Sequence, residues 1–188
     1  ILSSSELLSE KSSISGTLGK RLAANIRQGA LSMNRRVSEL LDLARIQIGK
    51  LDAKREPLEM RSLIHEVASQ LEPIFQGKEQ TLRLEVPRVV PKVSADRGKL
   101  EQVLYNLLSN ANKFSPGGSN VVLKLSAANK KVVVAVEDSA PPISEQEKNK
   151  LFDPYYRGED AIKRQQFPGL GLGLFISKEI IKLHHGEI

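Results

Sequence analysis

The sequence predicts an α+β chain: a helical hairpin fragment of the kind that forms a dimeric four-helix bundle, followed by an α/β sandwich. Three observations carry this. Aromatic residues make up only 4% of the chain, and none lies before Phe75, so the first part must be packed by Leu, Ile, Val and Ala, as helical bundles are. Apolar residues recur at steps of three and four from Leu22 to Leu51. Beyond Pro57 the hydrophobic period alternates between two and 3.6, the mark of mixed strands and helices.

Residues 1–10, ILSSSELLSE, read as the last turns of a helix that begins before Ile1, because the pattern starts without a cap. Residues 11–20, KSSISGTLGK, read as a loop rich in Ser, Gly and Thr. Leu22, Ile26, Ala30, Met33, Val37, Leu40, Ala44, Ile48 and Leu51 then form a sustained seam of coiled-coil type. Roughly 30 residues at 1.5 Å rise make a helix of about 45 Å. Ten preceding residues cannot cover such a stripe. Pairing with a second copy in a four-helix bundle would; packing of one helix on its own domain is the alternative.

Residues 52–57 read as a linker. Leu58 to Met60 is a strand candidate, and Arg61 to Gln76 an amphipathic helix through Leu63, Ile64, Val67, Leu71 and Ile74. Thr81 to Val86 alternates as a half-buried strand. Asp96 to Phe114 is a helix with Asp96 as candidate N-cap, ended by Ser115-Pro116-Gly117-Gly118. Val121–Ser126 and Lys131–Val136 form a hairpin, and Gly173 to His184 the last helix, with a strand starting at Glu187-Ile188. The expected boundaries are 1–51 for the hairpin, 52–57 for the linker and 58–188 for the sandwich, helices lying on one face of a mixed sheet.

Composition narrows the function. With 40% hydrophobic and 27% charged residues the 188-residue chain is globular. The absence of cysteine excludes disulfides, thiolate metal sites and a cysteine nucleophile, and the three histidines lack metal spacing. The net charge is +6, and between Lys11 and Arg61 eleven Lys/Arg face five Asp/Glu, an excess of 6. These cations are spread along a helical pattern without aromatic interleaving, which reads as a solvated helix face and not a nucleic-acid surface. No apolar run reaches the roughly 18 residues a bilayer span needs, so no membrane contact is expected of this stretch.

Two segments carry chemistry. In LEQVLYNLLSNANKFSPGG, residues 100–118, the apolar stripe is Val103, Leu104, Leu107, Leu108 and Ala111. Asn106, Asn110 and Lys113, spaced i, i+4, i+7, share one edge of the helix. Amide oxygens are hard ligands for Mg²⁺ and lysine is a point charge for phosphate, so this edge suits a polyphosphate with its magnesium. In FPGLGLGLFISKEIIKLHHGEI, residues 167–188, Gly169, Gly171 and Gly173 precede an apolar helix. Glycines there let backbone approach phosphate, and the helix N-terminus adds positive partial charge. The segment has neither the strand that leads a dinucleotide fingerprint nor the Gly-Lys-Ser/Thr ending of a P-loop.

With VEDSAPPIS (136–144) and LFDPYYRG (151–158) between them, these segments resemble, in order, the N, G1, F and G2 boxes of the sensor histidine kinases. SELLDLARIQIGKL, 38–51, is similar to the end of that family's second dimerisation helix. The resemblance covers nearly the whole chain. It implies a homodimer and an ATP-binding sandwich of the Bergerat type within the GHKL superfamily. It implies a kinase that moves the γ-phosphoryl group of ATP to a histidine and then to an aspartate on a response-regulator receiver domain, and a cytoplasmic setting even where the parent is membrane-anchored.

Position by position, the resemblance makes Asn110 the magnesium ligand and sets Asn106 beside the phosphates. Lys113 becomes a phosphate contact, and Asp138 the acceptor for the adenine amino group. Arg157, after Tyr155-Tyr156, would reach the γ-phosphate. Gly169, Gly171 and Gly173 would close a polar lid running through 158–168. Related ATPases carry a water-activating glutamate where this chain has Asn106, and an amide cannot be a general base. That favours phosphoryl transfer over hydrolysis.

Two departures stand out. The family's phosphoacceptor lies in a His-Glu-x-x-Thr-Pro type motif, which is absent here. His65, His184 and His185 are expected in surface, packing or capping roles, leaving no catalytic residue of that kind in this stretch, which is also expected to stop before the domain's final strand. The G1 box, Asp-x-Gly-x-Gly in the family, reads Asp138-Ser139-Ala140-Pro141-Pro142. Ala140 disfavours positive φ and Pro142 fixes φ and removes an N–H. Each change costs about 1–3 kcal/mol of affinity where the family geometry is required. The competing expectation is therefore a non-catalytic dimeric scaffold with weakened ATP binding.

Overall fold

The computed structural model describes residues 17–128, 131–158 and 170–188, and divides the chain into two compact units, Ile1–Lys50 and Leu51–Ile188. In the first unit the described element is helix α1, Thr17–Gln47. The expected helix over 1–10 and most of the expected loop lie outside the described residues. Thr17–Lys20, read as loop, are helical. The seam also stops earlier than its pattern: α1 ends at Gln47, and Leu51 lies beyond it. The cause is Gly49 at φ +66°, where the Lys50 N–H donates to the Arg45 carbonyl at 2.8 Å and the Gly49 N–H to the Ile46 carbonyl at 3.0 Å. This pair of bonds is the Schellman closure, which needs a left-handed residue after the helix. Along the seam, Met33 is 61% and Ile48 64% exposed, and Val37 and Leu40 are also open. A single copy leaves most of the stripe uncovered.

The second unit holds β1 (Glu56–Leu58), α2 (Met60–Gln76), β2 (Thr81–Glu85), β3 (Val93–Ala95), α3 (Arg97–Phe114), β4 (Asn120–Ala128), β5 (Lys131–Glu137), α4 (Glu145–Lys148) and α5 (Gly173–Leu183). The main sheet has the order β2-β4-β5; β2 runs parallel to β4, with Thr81 opposite Asn120, and β4 antiparallel to β5, with Leu125 opposite Val134. The expected mixed sheet is present. A separate antiparallel pair joins β1 to β3, Glu56 facing Ala95. The strand expected at Leu58–Met60 therefore shifts back, taking Glu56 and Pro57 from the linker, because pairing with β3 fixes it there. Met60 instead opens α2.

The core lies between the sheet and the helices. Leu63, Ile64, Val67, Leu71 and Phe75 of α2, Leu104 and Leu108 of α3, Val121 and Leu123 of β4, and Ile176 and Ile180 of α5 are all buried. Phe75, rather than Ile74, completes the inner stripe of α2. Fully burying each such side chain stabilises by about 1.5–3 kcal/mol before chain entropy is counted. Glu187 and Ile188, expected to start a strand, are not in one, and no strand among the described residues pairs with them. No described helix is long and apolar enough to cross a membrane.

Candidate functional site

Helix α3 is the backbone of the site, and both of its ends are fixed. At its start the Asp96 carboxylate accepts the Lys99 N–H at 3.0 Å and the Lys54 N–H at 2.9 Å, as an N-cap should. Burial pushes the Asp96 carboxyl up, but the Lys99, Lys54 and Gly98 N–H groups together hold it below the ordinary carboxylate value. The Asp96 N–H donates to His184 Nε2 at 2.9 Å, while His184 Nδ1 meets the Ile180 carbonyl at 2.7 Å. A carbonyl only accepts, so Nδ1 carries the proton and Nε2 is the acceptor. His184 thus ties the end of α5 to the start of α3, and His65 is exposed. His65 is thus at the surface and His184 at the C-cap of α5.

Along α3, Asn106 and Asn110 are half-buried. Asn106 Nδ2 donates to Ser177 Oγ on α5 at 2.9 Å. A Cβ at Gly173 would fall against Asn106 Oδ1, so a larger residue there would push the Asn106 side chain off this edge of α3. Leu172 makes no side-chain cap bond there. The positive end of α5 and the Asn106 face are therefore adjacent. Gly171 sits at φ +70°, and its Cβ would come within 2.6 Å of the Tyr156 carbonyl oxygen and 2.7 Å of the Tyr155 carbonyl carbon. Tyr155 itself has φ +65°, a strained value for an aromatic residue. Lys178 Nζ lies 5.5 Å from the Phe152 ring centroid, a second tie between α5 and this loop.

Lys113, in the last turn of α3, lies with Nζ 4.7 Å from the Phe114 ring centroid. Burial, and then the charge of Arg157, push the Lys113 ammonium below the ordinary lysine value. Two partly buried cations therefore feel one another at the end of the Asn106–Asn110 edge, an arrangement that a bound anion relieves. Beyond α3, Ser115 Oγ accepts the Ser139 N–H at 3.2 Å, which holds the Asp138 loop against the helix end. The exposed Asp138 carboxylate accepts the Ala140 N–H at 2.8 Å in a local turn. Gly169 lies outside the described residues. Among the other expected site residues, the structure brings Asn106 to Gly173, Gly171 to the residues before Arg157, and the Asp138 loop to the end of α3, and it sets Arg157 within electrostatic reach of Lys113. Two contributors went unnoticed in the sequence. Ser177 gave no local signal, whereas Ser144-x-x-Glu147, a capping-box pattern, marks α4, where both reciprocal bonds form.

Residues 95–188, half of the chain, match the histidine kinase-, DNA gyrase B- and HSP90-like ATPases. The chain belongs to this ATPase family. Its curated relatives include the adaptive-response sensory kinase SasA of Synechococcus sp. (strain JA-3-3Ab), 30% identical over 177 residues, or 94% of this chain and 46% of SasA. The chain thus spans less than half the length of that relative. Histidine kinase ThkA, solved in complex with response regulator protein TrrA, superposes with a TM-score of 0.63 at 26% identity, covering 93% of this chain and 47% of that one. Full-length ShkA in complex with AMPPNP superposes with a TM-score of 0.71 at 23% identity, covering 92% of this chain and 35% of that one, a likeness of fold alone.

Proposed function

We propose that this chain is part of a cytoplasmic sensor histidine kinase, and that its second unit binds Mg·ATP for transfer of the γ-phosphoryl group to a histidine outside this stretch. The parent then passes the group to an aspartate of a response-regulator receiver domain. The observation that supports this best is the lie of the N-terminus of α5, at Gly173, on Asn106 of α3, with Lys113 two turns further along the same helix and under the charge of Arg157. The positive end of a helix, close glycines and two nearby cations suit a polyphosphate, and positioning with charge neutralisation is nearly all that phosphoryl transfer needs.

Asn110 would hold magnesium. Its amide oxygen is a hard donor, and among the described residues no cluster of three His, Cys, Asp or Glu offers a competing cage. One or two protein ligands plus substrate phosphates are the usual setting for this ion. The ion would neutralise charge on the phosphates. Lys113 and Arg157 bind the phosphate oxygens, Asp138 accepts from the adenine amino group, and Gly171 and Gly173 let backbone approach the phosphates. Asn106 orients the start of α5 through Ser177 and offers no base for water.

The exposed seam of α1 supports a homodimer, with residues 1–51 as the end of a dimerisation hairpin, 52–57 as a linker and 58–188 as the catalytic domain. Ala140 and Pro142, at positions where the family reads glycine, favour a second reading: a dimeric scaffold whose nucleotide affinity has decayed. Incubating the parent protein with γ-labelled ATP separates the two. Acid-labile, base-stable label on the protein is expected of a kinase; no label, with the dimer intact, supports the scaffold.

A further inference from the structure

A buried polar cluster behind the site carries one more step. Gln80, one residue before β2, is only 4% exposed. Its Nε2 lies 3.2 Å from the Asn112 carbonyl oxygen, 3.0 Å from that of Ser115 and 3.0 Å from that of Pro116. Two amide hydrogens are thus shared among three acceptors. Its Oε1 accepts the Asn112 side-chain amide at 2.6 Å, and that amide also approaches the Ile74 carbonyl at 3.4 Å. This fixes the sense of both amides, since the reverse setting of Gln80 would aim its oxygen at three carbonyl oxygens. Lys78 Nζ adds donors to the Asn112 and Lys113 carbonyls at 2.7 and 3.1 Å. The carbonyls left over at the end of a helix need such partners when buried.

The clamped segment, 112–116, is where the two ends of the candidate site meet. Lys113 belongs to it, at the phosphate end. Ser115 belongs to it as well, and its hydroxyl receives the Ser139 N–H beside Asp138, at the base end. We propose that Gln80 is a positioning residue, which sets the spacing between Lys113 and Asp138 by clamping the carbonyls of segment 112–116. The proposal rests on the nucleotide reading of the site, and goes beyond it by assigning adenine discrimination to a residue that touches no nucleotide.

Gln80→Met keeps size and removes the amide. ATP affinity is expected to fall about tenfold and GTP affinity no more than about twofold, so that the ATP-to-GTP ratio shrinks. Loss of folded protein alone would lower both equally and leave the ratio unchanged, and that result overturns the proposal. Ser115→Ala removes only the hydroxyl that receives Ser139, and is expected to shrink the same ratio; combined with Gln80→Met it should add little, as residues in one chain of contacts do. Should Gln80→Met not fold, Ser115→Ala alone decides. Amide exchange at Ser139 gives a readout without nucleotide: faster exchange in Gln80→Met supports the clamp, and unchanged exchange contradicts it. If the parent chain binds neither nucleotide, the proposed function fails, and the Ser139 measurement still decides the clamp.

Discussion

Replacing Lys113 by Met separates a binding cation from a structural one. The ammonium is held below the ordinary lysine value by burial and by Arg157, so its charged form is less favourable in the fold than in the unfolded chain. A lysine depressed in this way weakens the fold below its folded-state pKa, and the penalty disappears as pH rises past the unfolded value. Removing the charge therefore relieves the fold. Against this stands the contact with Phe114 at 4.7 Å, where a cation over a ring contributes about 0.5–1 kcal/mol at partly exposed sites. Methionine keeps the stem and its sulfur also packs on aromatic rings. The net change in stability is then within about 1 kcal/mol of zero. Binding behaves differently. A charge-assisted bond to phosphate contributes about 1.5–3 kcal/mol, so its loss weakens ATP about ten- to hundredfold. Calorimetric titration with ATP, together with a thermal melt of the same sample, measures both. An affinity loss below twofold, or one that tracks a falling melting point, would refute the reasoning.

Three other outcomes are expected. Ala140→Gly with Pro142→Gly should tighten ATP binding about tenfold or more, with adenine still preferred over guanine and a small loss of stability from the freer unfolded chain; equal affinity in a titration would show that the local backbone has found another solution. Asp96→Ala should cost about 1 kcal/mol in urea unfolding at neutral pH. Because the Asp96 pKa is depressed in the fold, its contribution is present above about pH 4 and lost as pH falls through the folded value; an identical difference at neutral and strongly acid pH would contradict the cap. Val37→Glu with Leu40→Glu should turn a dimer into monomer in sedimentation, since both side chains lie open on α1; a wild-type chain that is monomeric at tens of micromolar would remove the seam as an interface.

Much of this molecule is legible in the sequence because its signals are local. Asp96 announced the start of α3, and the alternation in 121–136 announced the β4–β5 hairpin; both stand where their chemistry puts them. Gly49 was equally local, but Leu51 continued the seam and masked the stop. The box at Ser144 and Glu147 was also readable. Other features depend on distant partners. A three-residue strand such as β3 exists only because β1 pairs with it, and no periodicity can show in three residues. Ser177 reaches Asn106 from 71 positions away, and Gln80 reaches Asn112 from 32. Motif order identified which residues to consider around a phosphate; only folding showed that Gly173 lies on Asn106 and Gly171 against Tyr155 and Tyr156.

The central claim is that α3 and the start of α5 hold Mg·ATP through Asn110. Titrating the chain with ATP, with and without Mg²⁺, beside the Asn110→Ala variant, tests it most directly. Saturable binding of one ATP per chain is expected, tightened by Mg²⁺ in the parent chain and insensitive to Mg²⁺ in Asn110→Ala, whose fold stays intact. Absence of binding at millimolar ATP, or metal dependence that survives the substitution, would contradict the account.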